Sequence, residues 1–528
     1  MQDKRNDAIK SNQKDKTMHS ISSKHLETKA KNSKRKLMQI LSRHSRVQWL
    51  EHCFKRTSWF EQLVDTDLTK RISTNLGVSI KYLLANNIKN RKRYSPFELE
   101  RNFEKFINKS DAFAECDFSS SEDEKDLFKV FRHCMRIEKT QFPYQEDPFG
   151  TLFEFKSLYE EHANDEQKKM FKETFEMVPE EYETMIMVFI YAAYLWGHPI
   201  THQSIKKYLE DIGKTNLKDS VSKFLDEHSL TVEEYKQKYT AKRQKEFSKS
   251  IFDFNPLTKW PFIKIGDKYY LPIQRLLISL LVDGVYYKLL DEQHKPFLDI
   301  FGKSFEEYVG KLLKNSVFDL KLIEEDDLMA ENSEVKTRFV DFAYIHGDTV
   351  YLIECKAGRI AIGPTMSDDI EDFKSKLKEL VEKGSRQLSD VRKKIEDGRF
   401  TIGGEKYSKV KTILVSYENS WSFESFKNSP KFEEELFNKF DLQKPDFWLS
   451  YKHITTAIKH TSPENNLFDI LEEAQKAGVI HGGFKEFCKN KYRSRKNTYL
   501  EEQNKNEFSE IRKELDPGYR NLSKNLNG

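Results

Sequence analysis

The chain has 528 residues, enough for two to four domains at roughly 100–200 residues each. Its 89 Lys and Arg nearly cancel 85 Asp and Glu, leaving +4, which excludes a globally basic, histone-like binder and confines any nucleic-acid affinity to local patches. An aromatic content of 13% excludes a wholly disordered chain, and five cysteines, odd in number and without CxxC spacing, exclude a disulfide scaffold and a zinc ribbon and fit a reducing, cytoplasmic setting.

Residues 1–46, rich in Lys, Ser, Asn and Gln, read as a basic disordered tail with no apolar leader. From 47 to 254 apolar residues recur at spacings of three and four, predicting a large, mostly α-helical domain suited to targeting, sensing or regulation. The longest apolar run, Met185 to Trp196, falls well short of the ~20 residues that cross a bilayer, so a buried core helix and no membrane are expected. Ile200 to Gly213 has the pattern of a helix-turn-helix opening, which two ordinary short helices would share. His198 and His202 have ligand-like spacing, but Pro199 interrupts the helix between them.

Residues 255–296 form a linking region, a hairpin around Gly266-Asp267 followed by an apolar helix. Between 297 and 488 the order changes to helix, hairpin, long helix, strand, then strand running into helix. The predicted fold class is therefore α/β, with a C-terminal mixed sheet flanked by helices and preceded by the helical domain. Residues 489–528 return to a polar tail.

The chemistry concentrates in the hairpin. Gly347-Asp348 is a two-residue turn signal, which pairs His346 with Thr349 and sets Asp341 opposite Glu354 on one face. Lys356 lies two residues beyond Glu354 on that same face. The neighbours Val340, Phe342, Leu352, Ile353 and Cys355 are apolar, so both faces of the strands are expected to be covered. Two carboxylates facing each other in such a place are costly unless a cation lies between them, and all-oxygen ligands favour Mg²⁺ or Mn²⁺. Lys356 would then orient a water or stabilise developing negative charge. A salt bridge at a sheet edge shows the same Glu-x-Lys spacing. Glu334-Val335-Lys336 is a second copy, but in a polar stretch with no acid-bearing strand paired before it.

Asp341 followed by Glu354-Cys355-Lys356 resembles the PD-(D/E)xK nuclease superfamily, the restriction-endonuclease-like fold, over about 297–465, with Val340 where that motif usually has proline. The resemblance implies that Asp341 and Glu354 bind Mg²⁺ (or Mn²⁺), with the Cys355 carbonyl beside them, and that Lys356 assists the attacking water. It implies a phosphodiester hydrolase, an endonuclease acting on DNA more than on RNA. The setting would be bacterial restriction or anti-phage defence, and a protein partner or second copy would dock through the helical domain. The rival readings are an RNA-cutting enzyme with the same site, a nucleic-acid-binding or scaffold subunit that keeps the fold without cutting, and a nuclease subunit inert without its partner. Two more residues fit. Glu306 borders the apolar stripe Phe301, Phe305, Tyr308 and Leu312, whereas Glu307 falls with Lys303, Lys311 and Lys314 on the solvated face. The superfamily often carries an extra acid on this helix. Gln387 stands in the inward column Leu380, Gly384, Gln387, Val391, where relatives place a glutamine near the site; a structural hydrogen bond is the alternative. Lys336, Arg338 and Arg359 flank the hairpin as candidate phosphate contacts.

Overall fold

The computed structural model describes residues 46–57, 148–196, 199–239, 255–316, 322–334, 338–366, 369–418, 429–480 and 483–492, with scattered positions elsewhere. The expectations for Lys336, for His198 and for most of the two terminal tails concern residues outside this set. Two compact units emerge. One comprises 1–125, 193–201 and 223–276; the other comprises 126–192, 202–222 and 277–528. Neither is continuous, so sequential division at 254 and 297 does not describe the packing. The reason is visible in the core of the sheet-bearing unit, where Phe128, Phe131 and Met135 pack with Phe373 and Phe432. Periodicity shows that a helix has an apolar face, but not which distant segment covers it.

In the first unit, strands β1 (Ser229–Thr231), β2 (Phe262–Ile265) and β3 (Lys268–Tyr270) form a three-stranded sheet in that order. The hairpin between β2 and β3 turns at Gly266 with φ +66°, and Ile265 pairs with Lys268, as the Gly-Asp signal predicts.

The sheet-bearing unit holds a five-stranded mixed sheet in sequence order: β4 (Leu322–Glu324), β5 (Phe342–His346), β6 (Thr349–Lys356), β7 (Lys409–Ser416) and β8 (Phe447–Ser450). The first two pairings are antiparallel and the last two parallel. The crossover from β6 to β7 contains the helix Ile370–Glu396, whose start Asp369 caps by accepting from the Glu371 N–H at 2.9 Å. Leu377, Val381, Leu388 and Val391 of this helix bury against Val350 and Leu352 of β6 and Leu414 of β7. The other face carries aromatic residues. Tyr344 and Tyr351 stack on Phe468 at 4.3 and 4.6 Å, and Phe342 meets the helix Val285–Ser316. A Cβ on Gly310 would lie 2.9 Å from the Phe342 ring, so glycine there permits the helix to approach the strand beside Asp341.

That helix is broken at His294 (φ 54°, ψ −132°). Pro296 has no N–H to continue the ladder, and its ring opposes the Glu292 carbonyl. The run Met185 to Trp196 closes a helix starting at Pro179, and Met185 to Ile190 are fully buried, as a core helix requires. No helix among the described residues is long and apolar enough to cross a membrane. Cys53, Cys355 and Cys488 are buried.

Candidate active site

The hairpin register is the one the turn dictates. Phe342 pairs with Ile353 and His346 with Thr349, and Gly347 alone of the turn residues has positive φ (+60°), the pattern of a II′ turn. The ladder stops one rung before Asp341. There the Cys355 N–H donates to Asp341 Oδ2 at 2.6 Å instead of to a backbone carbonyl, which fixes the carboxylate at the strand end. Glu354, on the neighbouring residue, is 1% exposed. One of its oxygens, Oε1, accepts from Lys356 Nζ; the other, Oε2, is buried with no hydrogen-bond partner. A buried polar oxygen without a hydrogen bond costs on the order of 2–7 kcal/mol by transfer scales, and an ionised one far more.

Both acids hold their protons to a higher pH than an ordinary carboxyl does. Burial, then the Glu306 charge, pushes Asp341 up to about 6 against the opposing Cys355 N–H. Burial, then Asp341, pushes Glu354 up to about 8, although Lys356 acts in the other direction. For Lys356 burial opposes the ammonium, but Glu354 outweighs it and leaves the group above the ordinary lysine value. Burial pushes the Cys355 thiol well up, so its side chain is a packing group.

Glu306 and Glu307 part as the helical stripe predicts, with side chains 17% and 45% exposed. Glu306 accepts from Lys303 Nζ at 2.5 Å, whereas Glu307 turns to His162 Nδ1 at 3.3 Å. Lys303 is exposed, as expected for that face, yet its ammonium is shared between Glu306 and the field of Asp341. Glu325, which sequence reasoning missed, adds a fourth acid. Its N–H donates to the Asp341 carbonyl at 3.1 Å, and burial followed by Glu306 raises its pKa. Its signal was hidden because β4, the strand that delivers it, is only three residues long.

Gln387 is half-buried and donates to the Phe339 carbonyl, two residues before Asp341. It therefore holds the backbone entering the site rather than pointing a free amide into it. Gly384, one turn earlier, is a second missed position. A Cβ there would lie 2.5 Å from Leu414 Cδ1 and 3.2 Å from Lys356 Cε, so the absence of a side chain opens the lane along which Lys356 lies.

Of the flanking cations, Arg338 is exposed and lowers the Glu325 pKa in opposition to burial. Arg359 corrects the expectation of a surface phosphate contact. Its guanidinium bonds Asp283 at 2.6 Å and lies 5.2–5.5 Å from the rings of Tyr286, Tyr287 and Tyr417. A single charge beside a glycine in the sequence reads as solvated; the rings that cover it come from two distant segments.

Among the described residues no group of three or more His, Cys, Asp and Glu is arranged to hold a metal. The donor set nonetheless fits a hard cation of the Mg²⁺ kind, which takes one or two carboxylates from the protein and completes its shell with water and substrate phosphate. Asp341 and Glu354 would supply those carboxylates, and Glu354 Oε2 is a buried oxygen with no hydrogen-bond partner. Comparison of the chain with protein-family models, curated proteins and solved structures gives no match.

Proposed function

We propose that this chain is a divalent-metal-dependent nuclease of the PD-(D/E)xK kind, hydrolysing phosphodiester bonds. One observation carries the reading: a buried pair of acids, Asp341 and Glu354, with an unpartnered oxygen and a lysine ammonium alongside. Bound Mg²⁺ or Mn²⁺ would supply an acidified water and neutralise charge on the reacting phosphate. Asp341 and Glu354 hold it, with Glu306 supporting them from the helix. Lys356, no longer sole counter-charge to Glu354, orients the water or stabilises developing negative charge. Cys355 contributes through its backbone, not its thiol. Arg338, exposed as Lys303 is, would contact phosphate. DNA is favoured over RNA, and endonucleolytic over other cleavage, by analogy with the superfamily alone.

The test is incubation of the pure protein with plasmid, linear DNA and RNA, with Mg²⁺ or with EDTA. Metal-dependent cleavage is expected, together with a melting temperature that Mg²⁺ or Mn²⁺ raises in wild type and much less in Asp341→Ala. Equal shifts in both proteins would refute the metal site. No cleavage with any substrate or metal would leave the fold as a binding or scaffold subunit.

A further inference from the structure

A second buried cluster lies directly beyond Lys356, in the segment through which β6 leaves the sheet. Residues 357–361 have no regular structure, yet several of their polar groups are tied. The Lys356 carbonyl accepts from the Tyr417 N–H at 2.9 Å, and the Ala357 carbonyl faces the Tyr286 hydroxyl at 3.5 Å. The Ile360 N–H donates to Glu418 Oε2 at 2.5 Å, and the Ile360 carbonyl accepts from the Tyr287 hydroxyl at 3.4 Å. Glu418 follows closely on Ser416, the β7 residue paired with Lys356, so its carboxylate reaches across the last rung of the parallel ladder.

What holds that carboxylate in place is Lys139. Its Nζ lies 3.0 and 3.2 Å from the two Glu418 oxygens and 3.4 Å from the Tyr287 hydroxyl, and the two side chains are only 8% and 5% exposed. A carboxylate this buried, deprived of its cation, would turn away from its present partners. The Ile360 N–H would then lose its charged acceptor, and the strand end would slacken four residues from Lys356.

We propose that Lys139 and Glu418 are positioning residues of the candidate active site: clamping Ile360, they fix the strand end that holds the Lys356 ammonium against Glu354. A residue far upstream of the sheet thus belongs to the apparatus that sets the lysine, in keeping with the placement of 126–192 in the sheet-bearing unit. The catalytic consequence rests on the nuclease reading; the placement of Lys356 does not.

The experiment compares wild type with Lys139→Gln and Lys139→Arg, reading acylation of Lys356 by mass spectrometry at one pH in metal-free protein, and kcat and KM of cleavage with Mg²⁺. Loosening the strand end should raise Lys356 labelling by about threefold or more and lower kcat about tenfold with KM nearly unchanged, because small misplacements of a reacting group are costly. Lys139→Arg should recover both. If Lys139→Gln does not fold, Tyr287→Phe, which removes one hydroxyl from the same clamp, is read by the same measures. Wild-type labelling of Lys356 in the variant, with activity following only the folded fraction, overturns the proposal. Absence of cleavage by wild type overturns the nuclease reading instead, and the labelling still decides the placement of Lys356.

Discussion

Two buried charge clusters occupy the end of β6, and they differ in sign balance. Around Glu418 and Arg359, two cations meet two anions: Lys139 with Glu418, and Arg359 with Asp283. Around Asp341 and Glu354, four carboxylates face the ammoniums of Lys356 and Lys303 and the exposed Arg338, and one buried oxygen is left over. Burial of charge alone therefore does not mark a site. A matched network can hold two segments together, whereas a surplus of one sign is a place prepared for a charge that the chain does not supply.

That contrast is broken most severely at Lys356. Lys356→Ala should lower cleavage by roughly 10²–10³-fold while leaving folding and most nucleic-acid affinity intact, since a group acting on the reacting phosphate contributes mainly in the transition state. Single-turnover cleavage beside a binding titration separates the two; collapse of the fold would make the lysine structural. Next in size is the pair Glu306→Gln and Glu307→Gln. The first should cost about tenfold or more in cleavage and the second less than about twofold, given that of the two Glu306 is the one whose charge acts on Asp341. Equal losses would undo the assignment of Glu306.

The sharpest comparison is one of stability in EDTA. Glu354 holds its proton up to about pH 8 and Asp341 up to about 6, above the values of the unfolded chain. The folded state then binds more protons, so stability is fully present below the ordinary carboxylate range and is lost as pH rises through those values. Glu354→Gln should remove its share of the loss. Unfolding free energies from urea titration should match wild type near pH 4 and exceed it at pH 8 by about 4 kcal/mol. Arg359→Met, in the matched cluster, should do the reverse, destabilising by about 2 kcal/mol at pH 7 because Asp283 loses its cation while remaining partly solvated. If both substitutions destabilise at pH 8, the two clusters are not different in kind. The smallest expected effect is Gly384→Ala, at about 1–2 kcal/mol. Its methyl would press on Leu414 and the Lys356 stem, with cleavage falling more than stability.

Much of this was legible in the chain. Gly347-Asp348 between alternating runs set the register, and the register set Asp341 against Glu354, because a two-residue turn leaves no freedom in pairing. The stripe on the helix told Glu306 from Glu307. What escaped has a common cause. β4 is too short to show alternation, so Glu325 had no visible strand to stand on. Gly384 matters through its approach to Leu414 and Lys356, and Arg359 through Tyr286, Tyr287 and Asp283, which lie more than 70 positions upstream, and through Tyr417 just beyond β7. Local pattern reports which face a residue prefers; it does not report who arrives from elsewhere in the chain.

The wide separation of Lys139 and Glu418, 279 residues, has a consequence in time. The hairpin that brings Asp341 to Glu354 closes over two residues, an event of about 1–10 μs in isolation. The parallel rung between β6 and β7 must wait for the crossover helix, and the Lys139 clamp must wait for both, since each such closure meets its entropy cost before its contacts form. The two acids should therefore meet early in folding and the lysine be fixed late, so that a half-folded chain carries the carboxylates without an ordered ammonium. Pulsed hydrogen exchange should show protection of amides 342–354 before that of Ile360.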